Sequence, residues 1–217
     1  MFQHRQVAVF AQVRRGVREV LALGAFLAAA AAAVGQTLVT RADRPEIKVG
    51  DHWKQEQKDK RTGTKESETN RTVTAVTATL VEGTENDGKF AMTSELNPVE
   101  STTVVISGDP KFQSFPLEVG KKWSFKYNFA NKTNEGKGRV QLDAEVLAYE
   151  KVTVPAGSFD AFRIQAKGFW NNEASRQNGR SKFIYWYAPA ARSVVRTEYE
   201  DGYNNWVREL IELHLQP

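Results

Sequence analysis

Trp123-Ser124-Phe125-Lys126-Tyr127-Asn128-Phe129 sets the fold class in seven residues. Its four aromatic side chains fall at every second position, with Ser124, Lys126 and Asn128 between them. A two-residue period puts all four rings on one face of an extended chain and the polar groups on the other. That is the pattern of an antiparallel strand with one dry and one wet face.

The same period recurs downstream. Val140, Leu142, Ala144 and Val146 oppose Gln141, Asp143 and Glu145, and Phe162, Ile164 and Ala166 oppose Arg163, Gln165 and Lys167. Ser181 to Tyr187 is apolar on both faces, which predicts a central strand covered on two sides. Val194 to Tyr199 and Trp206 to Leu215 would close the sheet. The last segment also fits helical spacing, but a strand with Val207, Ile211, Leu213 and Leu215 on its apolar face is preferred. Upstream, His52 to Lys60 is a polar strand followed by a turn at Arg61 to Thr64. Glu68 to Val81 is a strand rich in Thr and Val, Glu82 to Gly88 a loop, Lys89 to Leu96 a strand, and Thr102 to Ile106 a β-branched run. The predicted fold is all-β. It is a single antiparallel domain over 47–217, a large curved sheet or two-sheet sandwich approaching a half-open barrel, preceded by a helical signal peptide.

Residues 1–35 read as that signal. Arg5, Arg14, Arg15 and Arg18 form a basic start, an alanine-rich apolar run extends from Val20 to Val34, and small residues before Gln36 suit cleavage. A retained anchor would need about 20 apolar residues, more than this run supplies, so no stable membrane span is expected after cleavage. A lipoprotein signal needs a cysteine, and the sequence has none. Residues 36–46 have no periodic pattern and read as a flexible leader. The expected location is periplasmic or secreted.

Removing the signal also removes most of the net positive charge. The chain holds 30 Lys+Arg against 26 Asp+Glu, and residues 1–35 contain four arginines and one glutamate. The remainder is close to neutral and has no basic cluster, so nucleic acid is not an expected partner. Zero cysteines exclude disulfides, thiol nucleophiles and thiolate metal sites.

Two devices punctuate the strands. Ile47-Lys48-Val49-Gly50-Asp51-His52-Trp53 echoes Leu117-Glu118-Val119-Gly120-Lys121-Lys122-Trp123, a glycine turn into a strand with a tryptophan anchor just inside it. Val152-Thr153-Val154-Pro155-Ala156-Gly157-Ser158-Phe159 sets Pro155 and Gly157 in a tight turn between two strands. About 30 residues later, Tyr185-Trp186-Tyr187-Ala188-Pro189 ends an aromatic strand. Together these motifs resemble an uncharacterised family of exported bacterial β-rich envelope proteins. The resemblance spans about Ile47 to Leu215 and implies a β-sheet protein of the envelope, with no established activity and no catalytic residues to carry over. The sequence departs from the family pattern after Pro189, where Ala190-Ala191-Arg192-Ser193 replaces the usual glycine-containing turn.

Catalytic signals are thin. There is no G-x-S-x-G, and His52 and His214 are isolated, without metal-ligand spacing. Carboxylate pairs such as Glu198 with Glu200, or Glu95 with Glu100, leave a carboxylate-dependent hydrolase of the envelope as the alternative reading. Trp170-Asn171-Asn172 and Tyr203-Asn204-Asn205-Trp206 suit sugar contact or ordinary turn chemistry alike. The reading preferred on the residues is a non-catalytic exported envelope protein, acting as a structural or accessory factor or binding an apolar or amphiphilic ligand in the concave sheet face. Phe125, Tyr127, Phe162, Ile164, Tyr185 and Tyr187 would line that face. The expected partner is a lipid, a small apolar ligand or an envelope protein, with no cofactor and no metal.

Overall fold

The alternating segments fold as strands in a computed structural model that describes residues 41–217. The predicted signal lies outside the described residues. In chain order the strands are β1 (Arg41–Ala42), β2 (His52–Asp59), β3 (Lys65–Val76), β4 (Leu80–Glu85), β5 (Gly88–Thr93), β6 (Pro98–Glu100) and β7 (Val104–Asp109). They continue with β8 (Leu117–Glu118), β9 (Lys122–Asn131), β10 (Lys137–Val154), β11 (Gly157–Asn172), β12 (Gln177–Ala188), β13 (Ser193–Glu200) and β14 (Asn205–His214). A single 3₁₀ turn, Pro189–Ala191, joins β12 to β13.

Twelve of the strands form one closed antiparallel barrel in the order β10-β11-β12-β13-β14-β2-β3-β4-β5-β6-β7-β9. The ring closes because β9 bonds β10 along one edge, through Lys137↔Ala130 to Glu145↔Lys122, and β7 along the other. The half-open barrel of the sequence reading is therefore corrected to a closed one. A two-residue period describes the faces of a strand but carries no information about what its edges bond. Closure leaves no free edge in the ring, which removes the exposed ladder that open sheets must protect.

Other expectations change in detail. Glu82 to Gly88 is not a loop: Leu80–Glu85 is a strand, turned at Asn86-Asp87 into β5. Gly83 sits within β4 because a side chain there would collide with the Thr72 carbonyl and the Phe90 ring. The leader is tied down where it is described, for Arg41↔Glu118 and Ala42↔Leu117 pair β1 with β8, and Ala42 and Ile47 are buried. β12 is covered fully on one face only. Tyr185 and Tyr187 are buried, while Ile184 and Trp186 on the other face are half-buried, with Trp186 bonding Glu150 at 3.0 Å.

The Val154-Pro155-Ala156-Gly157 turn forms as expected, with Val154 paired to Gly157 across it. It ends the longest hairpin of the barrel, β10–β11. A bulge between Val146 and Ala148 turns Val152 and Val154 of β10 to the face opposite Val146, so they join Phe159 and Ala161 in one apolar cluster while Val146, Phe162 and Ile164 point into another. The first cluster gathers Phe125, Tyr127, Leu142, Val146, Phe162, Ile164, Tyr185 and Tyr187. The second gathers Trp53, Val73, Phe90, Val154, Val195 and Leu210, and here the hairpin tip reaches β14 through a hydrogen bond from the Ala156 N–H to the Leu210 carbonyl.

Outward faces are charged. Lys54–Glu68, Lys65–Glu56 and Arg196–Glu209 ion pairs run across β2, β3, β13 and β14. A strand facing lipid would carry apolar side chains at these positions. Among the described residues no helix is long and apolar enough to cross a membrane.

Candidate functional site

The inward faces do not meet everywhere. A cavity of about 470 Å³ remains inside the barrel, walled by β2, β3, β5, β6, β7, β9, β12, β13 and β14. Its apolar wall includes Phe90, Met92, Ile106, Tyr127, Phe183 and Trp206. Its polar wall includes Gln55, Arg71, Thr197 and Arg208. A mostly apolar lining with a few placed polar groups is the usual composition of a small-molecule site.

Of the six residues expected to line a pocket, Tyr127 and Tyr185 do so. Phe125, Phe162, Ile164 and Tyr187 lie in the first apolar cluster instead, packed rather than facing open space. The reason is a segment to which the alternation assigned no role. The connection between β7 and β8 brings Phe112 within 5.1 Å of the Phe125 ring, 5.6 Å of Tyr127 and 5.5 Å of Phe183. Phe115 packs on Tyr187 at 5.3 Å. This connection fills one part of the interior and leaves the cavity in the rest. It is fastened by Tyr185, whose hydroxyl donates to the Phe112 carbonyl at 2.5 Å. Buried Asn97 adds two bonds, donating to the Gln113 carbonyl at 2.9 Å and accepting from its N–H at 2.7 Å. Burial pushes the phenols of Tyr127 and Tyr185 upward, so both remain neutral across the physiological range.

Three arginines border the cavity; Arg192 is paired with buried Asp51, and the other two are treated differently. Arg71 on β3 meets Glu85 on β4, with Nε 2.6 Å and Nη2 2.5 Å from the same carboxylate oxygen. Glu85 is buried and also accepts the Thr102 N–H at 2.8 Å. Burial alone would raise its pKa, but the Arg71 charge and the Thr102 and Arg71 hydrogen bonds outweigh burial and hold it below the ordinary value. A carboxyl lowered in this way stays ionised, so Glu85 is suited to neutralising a cation and not to donating a proton. Glu100, at the cavity rim, is paired with Lys132.

Arg208 on β14 has no carboxylate within ion-pair distance among the described residues. Its Nη2 donates to the Gln57 side-chain oxygen at 2.6 Å, its buried Nε has no acceptor, and its guanidinium lies 5.1 Å from the Trp206 ring centre. Sequence reading missed Arg208 because a charged residue in an amphipathic strand reads as the wet face. A bulge between Leu210 and Glu212 hid the true register. Trp206, Arg208 and Leu210 face inward up to that bulge, and Leu213 and Leu215 beyond it, so the expected face of Val207, Ile211, Leu213 and Leu215 is split.

Of the carboxylates named from sequence, only Glu100 borders the cavity. Glu198 is bound by Lys60 and Arg196 on the outer face, and no group of three or more metal-type ligands occurs among the described residues. The Asn172 side chain serves its turn, accepting the N–H groups of Ala174 and Ser175, and Asn171 accepts the N–H of its cross-strand partner Arg139. A second cleft of about 840 Å³ is lined by exposed Lys126, Asn128, Arg139 and Phe169 together with Tyr127, Val140 and Trp170.

No protein-family model and no curated protein matches this sequence. Among solved structures the chain is similar to a candidate lipoprotein from Parabacteroides distasonis, with 20% identity and a TM-score of 0.54 over 80% of this chain and 99% of the other. It is also similar to a candidate exported protein with a YmcC-like fold from Bacteroides fragilis, with 15% identity and a TM-score of 0.56 over the same shares of the two chains. At these identities the likeness shows the fold: the barrel is of the YmcC-like type.

Proposed function

We propose that this protein is a non-catalytic, exported component of the cell envelope that binds an apolar or amphiphilic ligand inside its barrel. The observation that carries the reading is the cavity of about 470 Å³ lined by Phe90, Met92, Ile106, Phe183 and Trp206. A closed barrel of ordinary side chains packs its interior to crystal-like density. Space kept open beneath an apolar and aromatic lining is therefore a site for a molecule of matching character. Export is supported by residues 1–35, which read as a signal, and by the fold neighbours, which are named as an exported protein and a lipoprotein. The ionic outer surface supports a protein bathed in water, carrying its apolar cargo within.

Native mass spectrometry of protein isolated from its own envelope without detergent tests the proposal. The expected result is a co-purifying small molecule released on unfolding. A bare mass that persists after incubation with long-chain alcohols and fatty acids would remove the binding role and leave a structural or accessory one.

A further inference from the structure

We infer that the ligand carries a single anionic head group, a carboxylate or phosphate monoester on one apolar chain, and that Arg208 is the residue that receives it. This rests on the cavity being a binding site and adds the chemical class of what it holds.

The argument begins with charge balance inside the barrel. Arg71 is matched by Glu85, Arg192 by Asp51 and Glu100 by Lys132. Arg208 alone among these cations at the cavity is left without a carboxylate among the described residues. Its cross-strand neighbours are Thr197 and Gln57, so the row across β13, β14 and β2 offers neutral oxygens only. A guanidinium taken from water without a counter-charge is costly, and such groups in proteins are ordinarily paired. Burial, reinforced by the Arg71 charge and only partly opposed by Glu85, pushes its pKa down to about 10. It remains protonated at neutral pH, held at a cost that a bound anion would relieve.

Geometry agrees with this assignment. The Gln57 amide takes one hydrogen of Nη2, while Nε has no acceptor and the side chain borders the cavity. A planar guanidinium presents its donors as a fork that fits two oxygens of a carboxylate or phosphate. Trp206 at 5.1 Å holds the plane from one side. The same cavity is lined by Phe183, Ile106 and Met92, apolar surface that suits a hydrocarbon chain and not a second charge. The volume lies at the small end of the range of about 300–1,000 Å³ for ligand pockets, which favours one chain over a two-chain lipid.

The test compares head groups on a common chain. Binding of dodecanoate, dodecanol and dodecyl phosphate to the purified protein is measured by calorimetry, alongside Arg208→Gln and Arg208→Lys. The expected result is a preference of about tenfold or more for an anion over the alcohol, since a charge-assisted hydrogen bond is at stake. Arg208→Gln should abolish the preference with alcohol binding retained. Arg208→Lys should keep the charge and lose most of the fork. The unliganded Arg208→Gln protein should melt no lower than the parent, because a half-buried cation without a counter-charge has been removed. Tighter binding of dodecyl phosphate than dodecanoate would identify a phosphate head, and the reverse a carboxylate. Equal binding of alcohol and anions, unchanged in Arg208→Gln, would overturn the inference and leave the cavity as an apolar site. Failure of all three probes to bind would overturn the cavity reading, and the head-group assignment with it.

Discussion

The turns at Val49-Gly50-Asp51-His52-Trp53 and Val119-Gly120-Lys121-Lys122-Trp123 are built by the same backbone hydrogen bonds and do different work. In the first, the Gly50 N–H donates to Val73, Asp51 N–H to Lys48, and the Asp51 carbonyl accepts from Val73. In the second, the Gly120 N–H donates to Val146, Lys121 N–H to Glu118, and the Lys121 carbonyl accepts from Val146. Both glycines sit at positive φ, +92° and +89°. The side chain after the glycine then decides what each turn holds. The Asp51 carboxylate is fully buried and gathers the Lys48 N–H, the Gln216 N–H and the Arg192 guanidinium at 2.8–3.2 Å. Lys121 is only partly buried and donates to the carbonyls of Ser114 and Pro116, holding the connection that carries Phe112 and Phe115. One backbone device thus ties the entry of β2 to Gln216 and Arg192 in one place and fastens the interior plug in the other.

The same contrast bears on Arg192, in the stretch where this sequence departs from the glycine-containing turn of the pattern it resembles. Arg192 closes the 3₁₀ turn at φ +51°, a left-handed conformation that costs a side-chain-bearing residue about 1–2 kcal/mol. Its ion pair with Asp51 offsets that cost. The largest expected effect follows. Asp51→Ala leaves a partly buried guanidinium and two N–H groups without their acceptor, and should destabilise the protein by about 3–5 kcal/mol. Lys121→Met, which removes donors from carbonyls nearer to solvent, should cost about 1 kcal/mol. Equilibrium unfolding in urea measures both. Equal losses would show that the two turns are energetically alike, contrary to their burial.

Much of this was legible before the fold was known. The alternation in Trp123 to Phe129, Val140 to Val146 and Phe162 to Ala166 names strands whose inward faces are the ones expected, because no bulge interrupts those runs. The Val-Gly echo was legible because positive φ demands glycine and the following strand demands an anchor. Trp53 is that anchor in full, buried with its N–H on the Ala191 carbonyl at 2.8 Å; Trp123 is half-buried, its N–H on Lys111. What stayed hidden depends on partners distant in sequence. Gly83 in β4 is selected by the approach of Thr72, and Glu85 is buried because Arg71 lies across from it, so both read as loop residues in isolation. The cavity escaped for the same reason. Which apolar faces meet, and which are kept apart, is decided by where Phe112 and Phe115 lodge, and their segment has no periodicity to follow.

A smaller effect sharpens the comparison through pH. Glu85 belongs to the half that follows Gly50, and its folded pKa is depressed below the ordinary 4.5. A depressed carboxyl contributes stability that is fully present above the unfolded value and is lost as pH falls through the folded one. Stability should therefore decline below about pH 4.5 as the Arg71 pair is protonated apart. Glu85→Gln should remove about 1–2 kcal/mol at pH 7 and flatten the acid limb relative to the parent. Urea midpoints from pH 7 to pH 3 follow the two proteins. Parallel curves would mean that Glu85 contributes nothing to the acid response.

The smallest effect distinguishes the two glycines themselves. Both need left-handed backbone, so Gly50→Ala and Gly120→Ala should each cost about 1 kcal/mol from conformation alone. They differ in what a new methyl group would meet. At Gly120 nothing lies within 4 Å, whereas at Gly50 the Gln216 side chain lies at 3.0–3.1 Å. Gln216 bonds the Gly50 carbonyl at 3.3 Å through its side chain, and its N–H is one of those held by Asp51. Displacing that side chain disturbs the seam between the two ends of the described chain. Gly50→Ala should accordingly exceed Gly120→Ala by a few tenths of a kcal/mol, and the excess should vanish in a Gln216→Ala background, where the obstruction is gone. An excess that survives in that background would place the difference in the backbone of the turn and not in the packing around it.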